Sequence, residues 1–397
     1  MRNWGAQYTS VRTGSAGAKP VRTLMKPNKH ELPDIVYATS DFEKWALRHV
    51  KLIRSDVDLK HRNMARAAFP FLRATFYRWA QWWPIVCPEL ARAPQVLAVG
   101  DLHIENFGTW RDLEGRLIWG VNDFDEAWPA AYTVDLVRLL ASAYLAIEEQ
   151  HLSLSRKAAS RVIEQGFRDS LAKGGRPFVL AEHHRWLRLL ALNKLRDPVR
   201  FWEKMRACPR YKGTLPIEVA KLLKSTLPFR EEKYELKSRI AGLGSLGHPR
   251  ILALATWHGA HIAREAKQLT PSAWIWARHL DTTEILSRDL VDCAVRIRDP
   301  HVHFAEHWIV RRLAPDCCHI EINTLPAERD EEKLLYCMGW ETANIHLGSP
   351  KAIPAVRRDL ATRKDRWLHK AAKAMLKATL NDWKVWRRKW DGAPLAR

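Results

Sequence analysis

Long apolar runs are missing from this chain of 397 residues. No stretch of about 18 uncharged apolar residues occurs, so no helical membrane span is expected. An apolar signal-peptide core is missing too: residues 1–30 are basic, rich in Gly, Ser and Thr, and read as a flexible arm. Cysteine is scarce, at six, and no two stand as CxxC, which argues against a zinc ribbon or a disulfide frame. Cys317-Cys318 are adjacent and poorly placed to bond each other, so reduced thiols and a cytoplasmic location are expected. Acidic residues are outnumbered, 44 against 65 Lys and Arg, for a formal charge of +21. That excess implies affinity for anions such as nucleic acid, an acidic lipid surface or a phosphorylated ligand. No internal repeat is present.

What is present is ordinary core-forming sequence, 47% apolar, with an unusually large set of 19 Trp scattered through the chain. Scattered Trp is expected to fill cores, not to form a stacking platform. The chain turns on residues 96–126, VLAVGDLHIENFGTWRDLEGRLIWGVNDFDE. An apolar run at Val96–Val99 ends in Gly100-Asp101, and Asn106 follows five positions later. A second run, Leu117–Val121, ends in Asn122-Asp123-Phe124-Asp125-Glu126. Two strands thus deliver acidic residues at their carboxyl ends, an arrangement that gathers oxygen ligands for a hard cation such as Mg²⁺. A plain hairpin with acidic loops is the alternative.

Upstream, residues 41–90 read as helical, capped by Ser40 or Asp41, with Pro70 kinking or restarting the helix. Downstream, Trp128-Pro129 reads as a turn, and Thr133 or Asp135 is placed to cap an apolar helix. Further helices are expected at Ser153–Ala172, His183–Leu195, Thr283–Ile297 and Glu331–His346. From residue 238 the pattern becomes strand, Gly-rich turn, strand, His258-Gly259 turn, strand. Strands are also expected at His307–Pro315 and Cys318–Ile322. The tail, Val356–Trp390, reads as one basic amphipathic helix docked on the protein's own core.

Gly242, Gly244 and Gly247 form a GxGxxG that lies between strands, the arrangement that folds over nucleotide phosphates in kinases. A basic residue on the next strand should hold the phosphates, and either Arg264 or Lys267 could do so, depending on register. Asp101 and Asn106 have the Asp-to-Asn spacing of the kinase catalytic loop. In those terms Asp101 accepts or orients the acceptor hydroxyl proton and His103 orients the loop. Asn106 and Asp123 bind Mg²⁺, and Asp125 adds a ligand.

Taken together, GDLHIENFG, NDFDEAWPAAYTVDLVRLLAS, GLGSLG and REAK resemble the bacterial family named domain of unknown function 2252, over about residues 60–350. More distantly they are similar to the aminoglycoside and choline kinases, with their GDxHxxN, DFD and PxxxDLxRL. That resemblance implies a protein-kinase-like α+β fold and ATP- and Mg²⁺-dependent transfer to a small-molecule hydroxyl. Three departures stand out: Val99 replaces the usual His, Arg264 falls where a Lys is expected, and the Gly loop follows the catalytic loop instead of preceding it. The order implies a circularly permuted two-lobed fold with extra terminal helices. Its parts would be a basic arm (1–40), a helical segment (41–95), a C-lobe-like catalytic region (96–237), an N-lobe-like nucleotide-binding region (238–325) and a helical C-terminal region (326–397). The alternatives are an inactive kinase-like or basic nucleic-acid-binding protein, and a metallophosphoesterase opened by the DxH of Asp101 and His103.

Overall fold

Asp34 opens the first helix, its carboxylate accepting the Tyr37 amide at 2.9 Å. The computed structural model describes residues 32–180, 184–191, 197–228, 233–317 and 330–390. Residues 1–31 of the arm, His183, the expected strand at Cys318–Ile322 and the partner of Cys317 lie outside those residues. The fold is mixed α+β, with three small sheets set among helices. None of the described helices is long and apolar enough to cross a membrane.

Four helices come first: α1 (Ile35–Ala46), α2 (Arg54–Arg66), α3 (Ala68–Ala74) and α4 (Phe76–Val86). The first begins before Ser40 and Asp41, so neither of them is its cap. Pro70 lies in the first turn of α3, where a missing N–H costs nothing; the break falls before it, at the extended Ala67.

Strands β1 (Gln95–Ala98), β2 (Phe107–Arg111), β3 (Leu117–Val121) and β4 (Trp128–Ala131) follow. The two strands with acidic ends do not form a hairpin. β1 pairs with β4, and β3 pairs with β2. Trp128-Pro129 is strand where a turn was expected. Pro129 stands opposite Leu97 in a two-stranded sheet, where an edge strand tolerates proline.

Helix α5 (Thr133–Glu148) is buried on every face over residues 133–146 and runs through the main core. Its expected caps make no cap bond there. Then come α6 (Arg156–Lys173), capped by Ser155 and stopped by Gly174 at φ 79°, and β5 (Phe178–Val179), which joins β3. Helices α7 (Arg185–Ala191), α8 (Pro198–Ala207) and α9 (Ile217–Thr226) lead to the second sheet.

Strands β6 (Glu235–Ser238), β7 (Arg250–Trp257) and β8 (Ala260–Gln268) make a meander. The β7–β8 hairpin turns on His258 and Gly259, both at positive φ. Short helices α10 (Ala273–Ala277) and α11 (Ser287–Cys293) follow, the latter only the middle of the expected Thr283–Ile297. Strands β9 (His303–Ala305) and β10 (Trp308–Leu313) complete an antiparallel sheet ordered β6-β7-β8-β10-β9. Helix α9 covers one face of it through Val219 and Leu223, against Ile251, Ala266 and Val310.

Helix α12 (Glu331–His346) occupies the expected span. The tail is two helices, not one: α13 (Ile353–Thr362) and α14 (Trp367–Trp390), separated near Arg366 at φ 58°. The apolar face of α14, with Leu368, Met375 and Trp386, is buried in the main core. Asp382 of α14 receives Arg78 Nε at 2.8 Å and Trp82 Nε1 at 2.6 Å. Arg78 is buried, so removing its carboxylate leaves a charge without compensation. Asp382→Ala is expected to cost about 3 kcal/mol in urea melts, and Asp382→Asn, which keeps an acceptor, distinctly less.

Candidate functional site

Gly100 turns the chain out of β1 at φ 81°, and a Cβ there would lie 2.5 Å from the Glu126 carbonyl oxygen. Only glycine lets the loop after β1 run this close to the loop after β3. Asp101 follows at once. Its carboxylate receives Arg138 Nε at 2.7 Å, while the same guanidinium donates to the Leu72 carbonyl and lies over the rings of Phe76 and Trp79. Burial pushes the Asp101 carboxyl up to about 6, against the pull of Arg138.

The backbone of this loop is fixed separately. Val99 N and Gly100 N donate to the two oxygens of the Asp135 carboxylate at 2.8 and 2.9 Å. Asp135 Oδ2 also bonds His346 Nε2 at 2.8 Å, and both side chains are wholly buried. Asp135, expected as a helix cap, thus holds the neighbouring loop.

Asn106 turns its amide nitrogen to the Asp101 carbonyl at 2.9 Å. Its Oδ1 is buried without a hydrogen-bond partner, an acceptor left to a cation or a ligand. His103 is buried in the cleft wall, edge-on to Phe69 at 6.4 Å. Beside it Arg73 and Glu105 form an ion pair.

Across the cleft, the end of β3 is clamped at Val121. Glu341 Oε1 accepts the Val121 amide at 3.2 Å, and Arg296 donates to the Val121 carbonyl at 3.1 Å while lying over Phe124. A Cβ at Gly120 would collide with Glu341. Asp123 and Asp125 then project towards β8, where Lys267 meets Asp123 at 3.5 Å and pairs with Asp125. Burial, and then Asp123, raise the Asp125 carboxyl, with Lys267 opposing. Glu126 turns away and accepts from Ser272 Oγ and Ala273 N.

The Gly-rich loop closes over this floor. A Cβ on Gly244 would lie 3.2 Å from the Arg73 carbonyl oxygen and 3.7 Å from Asp101 Oδ2, so the loop's backbone runs close to the carboxylate. Gly242 and Gly244 line the cleft. Gly247 does not: its carbonyl takes the Ile53 amide at 2.8 Å, and its α-carbon faces Val57 of α2. The cleft encloses about 690 Å³ between these walls.

The two basic candidates on β8 part company. Lys267 points to the acids. Arg264 faces the opposite side of the sheet, donating to the Thr226 carbonyl at 3.1 Å and contacting His301 at 3.2 Å. Lys60 of α2 was not singled out from the sequence. It lines the cleft, is buried, and donates to the Gly244 carbonyl at 3.0 Å. Burial lowers its ammonium pKa, with Glu43, Glu126 and Asp101 opposing. Asp135, Arg138, Glu341 and His346 were also missed. The DLVRL run contains the first two three positions apart, on one helix face, the available signal. Lys60 had none.

Among the described residues no three His, Cys, Asp or Glu converge on one point. A cation beside Asp123, Asp125 and the orphan Asn106 oxygen would complete its shell with ligand phosphate and water, which suits Mg²⁺.

Burial, opposed by Arg296, raises the Glu341 carboxyl from 4.5 to about 7. The folded chain therefore holds this proton more tightly than the unfolded chain. The resulting stability is complete below pH 4.5 and is lost as pH rises through about 7. Melting temperatures measured from pH 5 to 8 should fall more steeply for the native chain than for Glu341→Gln.

No curated protein and no solved structure matches the chain. Residues 52–176, which carry Lys60, Asp101, Asn106, Asp123, Asp125, Asp135 and Arg138, match the family described as "Uncharacterized protein conserved in bacteria (DUF2252)".

Proposed function

We propose that the protein is an ATP- and Mg²⁺-dependent phosphotransferase of protein-kinase-like, circularly permuted fold, acting on a hydroxyl of a small-molecule acceptor. The observation that carries this reading is the meeting of Lys267 with Asp123 and Asp125 under the Gly242–Gly244 loop. A strand ammonium, an acidic pair and a glycine roof are what a triphosphate with its metal requires.

In this reading β6–β8, β9 and β10 form the nucleotide lobe, and the β1–β5 region with α5, α6 and α12 forms the catalytic lobe. The permutation is supported at one place. α12 ends with His346 on Asp135, and Ser349 Oγ accepts the Leu97 amide at 2.9 Å. The end of a late helix thus lies beside the strand that leads to Asp101, where an unpermuted chain would run straight on.

Asp101 takes the acceptor hydroxyl. With Arg138 holding one oxygen, the other faces the cleft to receive or orient the proton. Asn106, Asp123 and Asp125 would hold Mg²⁺, which supplies charge neutralisation at the phosphates. Lys267 and Lys60 bring two ammonium groups to the same region, and His103 backs the loop. Arg264, engaged on the far face, has no part in it.

The other readings have less behind them. The apolar face of α14 is buried in the core, so deleting the tail for a nucleic-acid assay would also remove core. A metallophosphoesterase would need further ligands beside Asp101 and His103, and His301 is instead engaged by Arg264, which faces the far side of the sheet.

ATP·Mg²⁺ at 100 times its dissociation constant should stabilise the chain by about 2.7 kcal/mol, read as a thermal shift. Asp123→Asn should remove both the shift and turnover. Asp101→Asn should keep the shift and lower turnover by about 10²- to 10⁴-fold. No shift with the native chain at millimolar nucleotide would defeat the proposal.

A further inference from the structure

The face of the second sheet that looks into the cleft is not apolar at its inner end. Register puts Arg250 opposite Lys267, and Arg311 opposite Glu265, so all four side chains share one face. Glu265 is wholly buried and serves three guanidiniums. Arg250 reaches Oε1 at 2.8 Å, Arg311 reaches it at 3.0 Å, and Arg239 pairs with Oε2. One carboxylate thus answers three arginines that are at most 19% exposed. Burial on this scale normally demands a matched anion. Arg250 Nε is also buried without a partner.

The outer half of the same face is apolar and already covered. Leu252, Leu254, Ala263 and Leu313 pack against Met205 of α8. That helix also presents Arg200 and Lys204, both exposed, to the cleft beside the arginine group. Cationic groups therefore extend along the sheet wall beyond the acids of the opposite wall. Lys267 is matched by Asp123 and Asp125, and Arg73 by Glu105. In the wall, Arg239, Arg250 and Arg311 share Glu265 as their paired acid, Asp125 also attracts Arg250 and Arg311, and Arg200 and Lys204 add two exposed cations.

We propose that this wall is a second anion site, which holds a phosphate or carboxylate group of the acceptor, so that the acceptor of the phosphotransfer is itself an anionic small molecule. The inference rests on the phosphotransfer reading for the word acceptor, but the anion site stands on the wall alone. The guanidinium forks suit planar or tetrahedral oxyanions, which they bind in charge-assisted pairs. The size of the cleft leaves room for a nucleotide and a small acceptor together.

The probe is inorganic phosphate, titrated calorimetrically into the full chain, alone and then with saturating ATP·Mg²⁺. Phosphate should bind in both conditions. Arg200→Gln with Lys204→Gln, on an exposed helix surface, should weaken it about tenfold while leaving ATP·Mg²⁺ affinity within twofold. Arg311→Gln, checked for folding by its melt, should weaken phosphate further. Displacement of phosphate by ATP·Mg²⁺ would assign the wall to the nucleotide and overturn the proposal. Absence of phosphate binding, or equal binding by the double variant, would overturn it too. If ATP·Mg²⁺ itself fails to bind while phosphate binds and the variants weaken it, the phosphotransfer reading falls and the anion site remains.

Discussion

The rest of the site depends on the Asp135 carboxylate. It takes two backbone N–H groups of the loop after β1 and one imidazole nitrogen of α12, all at 2.8–2.9 Å. A buried acid with three donors is satisfied on every side, and each donor is held where the acid is. One turn further along the same helix, Arg138 grips the Asp101 side chain. The helix therefore fixes the loop twice, by its backbone and by the Asp101 side chain. Because α5 is buried on all faces, it has little freedom to shift and carry the loop with it.

Helix α12 extends this constraint to the other acidic end. His346 bears on Asp135 and, five residues earlier, Glu341 bears on Val121, just before Asn122-Asp123. The two sheets that carry Asp101 and Asp123 share no strand pairing. Their relative placement comes from α12 and from the close passage of Gly100 by Glu126.

Much of the local fold was legible. The apolar run Leu117–Val121 is stopped by Asn122-Asp123, and β3 has those bounds. Glu331–His346 lies between acidic residues that favour a helix start and a Gly-Ser-Pro stop, and α12 spans it. What failed was non-local. Pro129 reads as a turn until a two-stranded sheet gives it an edge. Arg264 and Lys267 could not be separated by type, because an odd shift in register exchanges them between faces. The tail looked continuous because its apolar period persists through Arg366, where the backbone turns. Lys60, Glu341 and His346 stand among ordinary helix residues. Their partners lie 184, 220 and 211 positions away, and no local pattern contains that information.

Those separations also have a consequence in time. The ribosome makes the buried α5 and its Asp135 early, yet His346 emerges 211 residues later. At roughly 5–20 residues per second, that leaves the acid without its imidazole for roughly 10–40 s. During this interval a helix that the folded protein buries on every face has no α12 and no α14 to cover it. This order makes the nascent protein wait, with a largely apolar helix exposed, for the segment that completes its site.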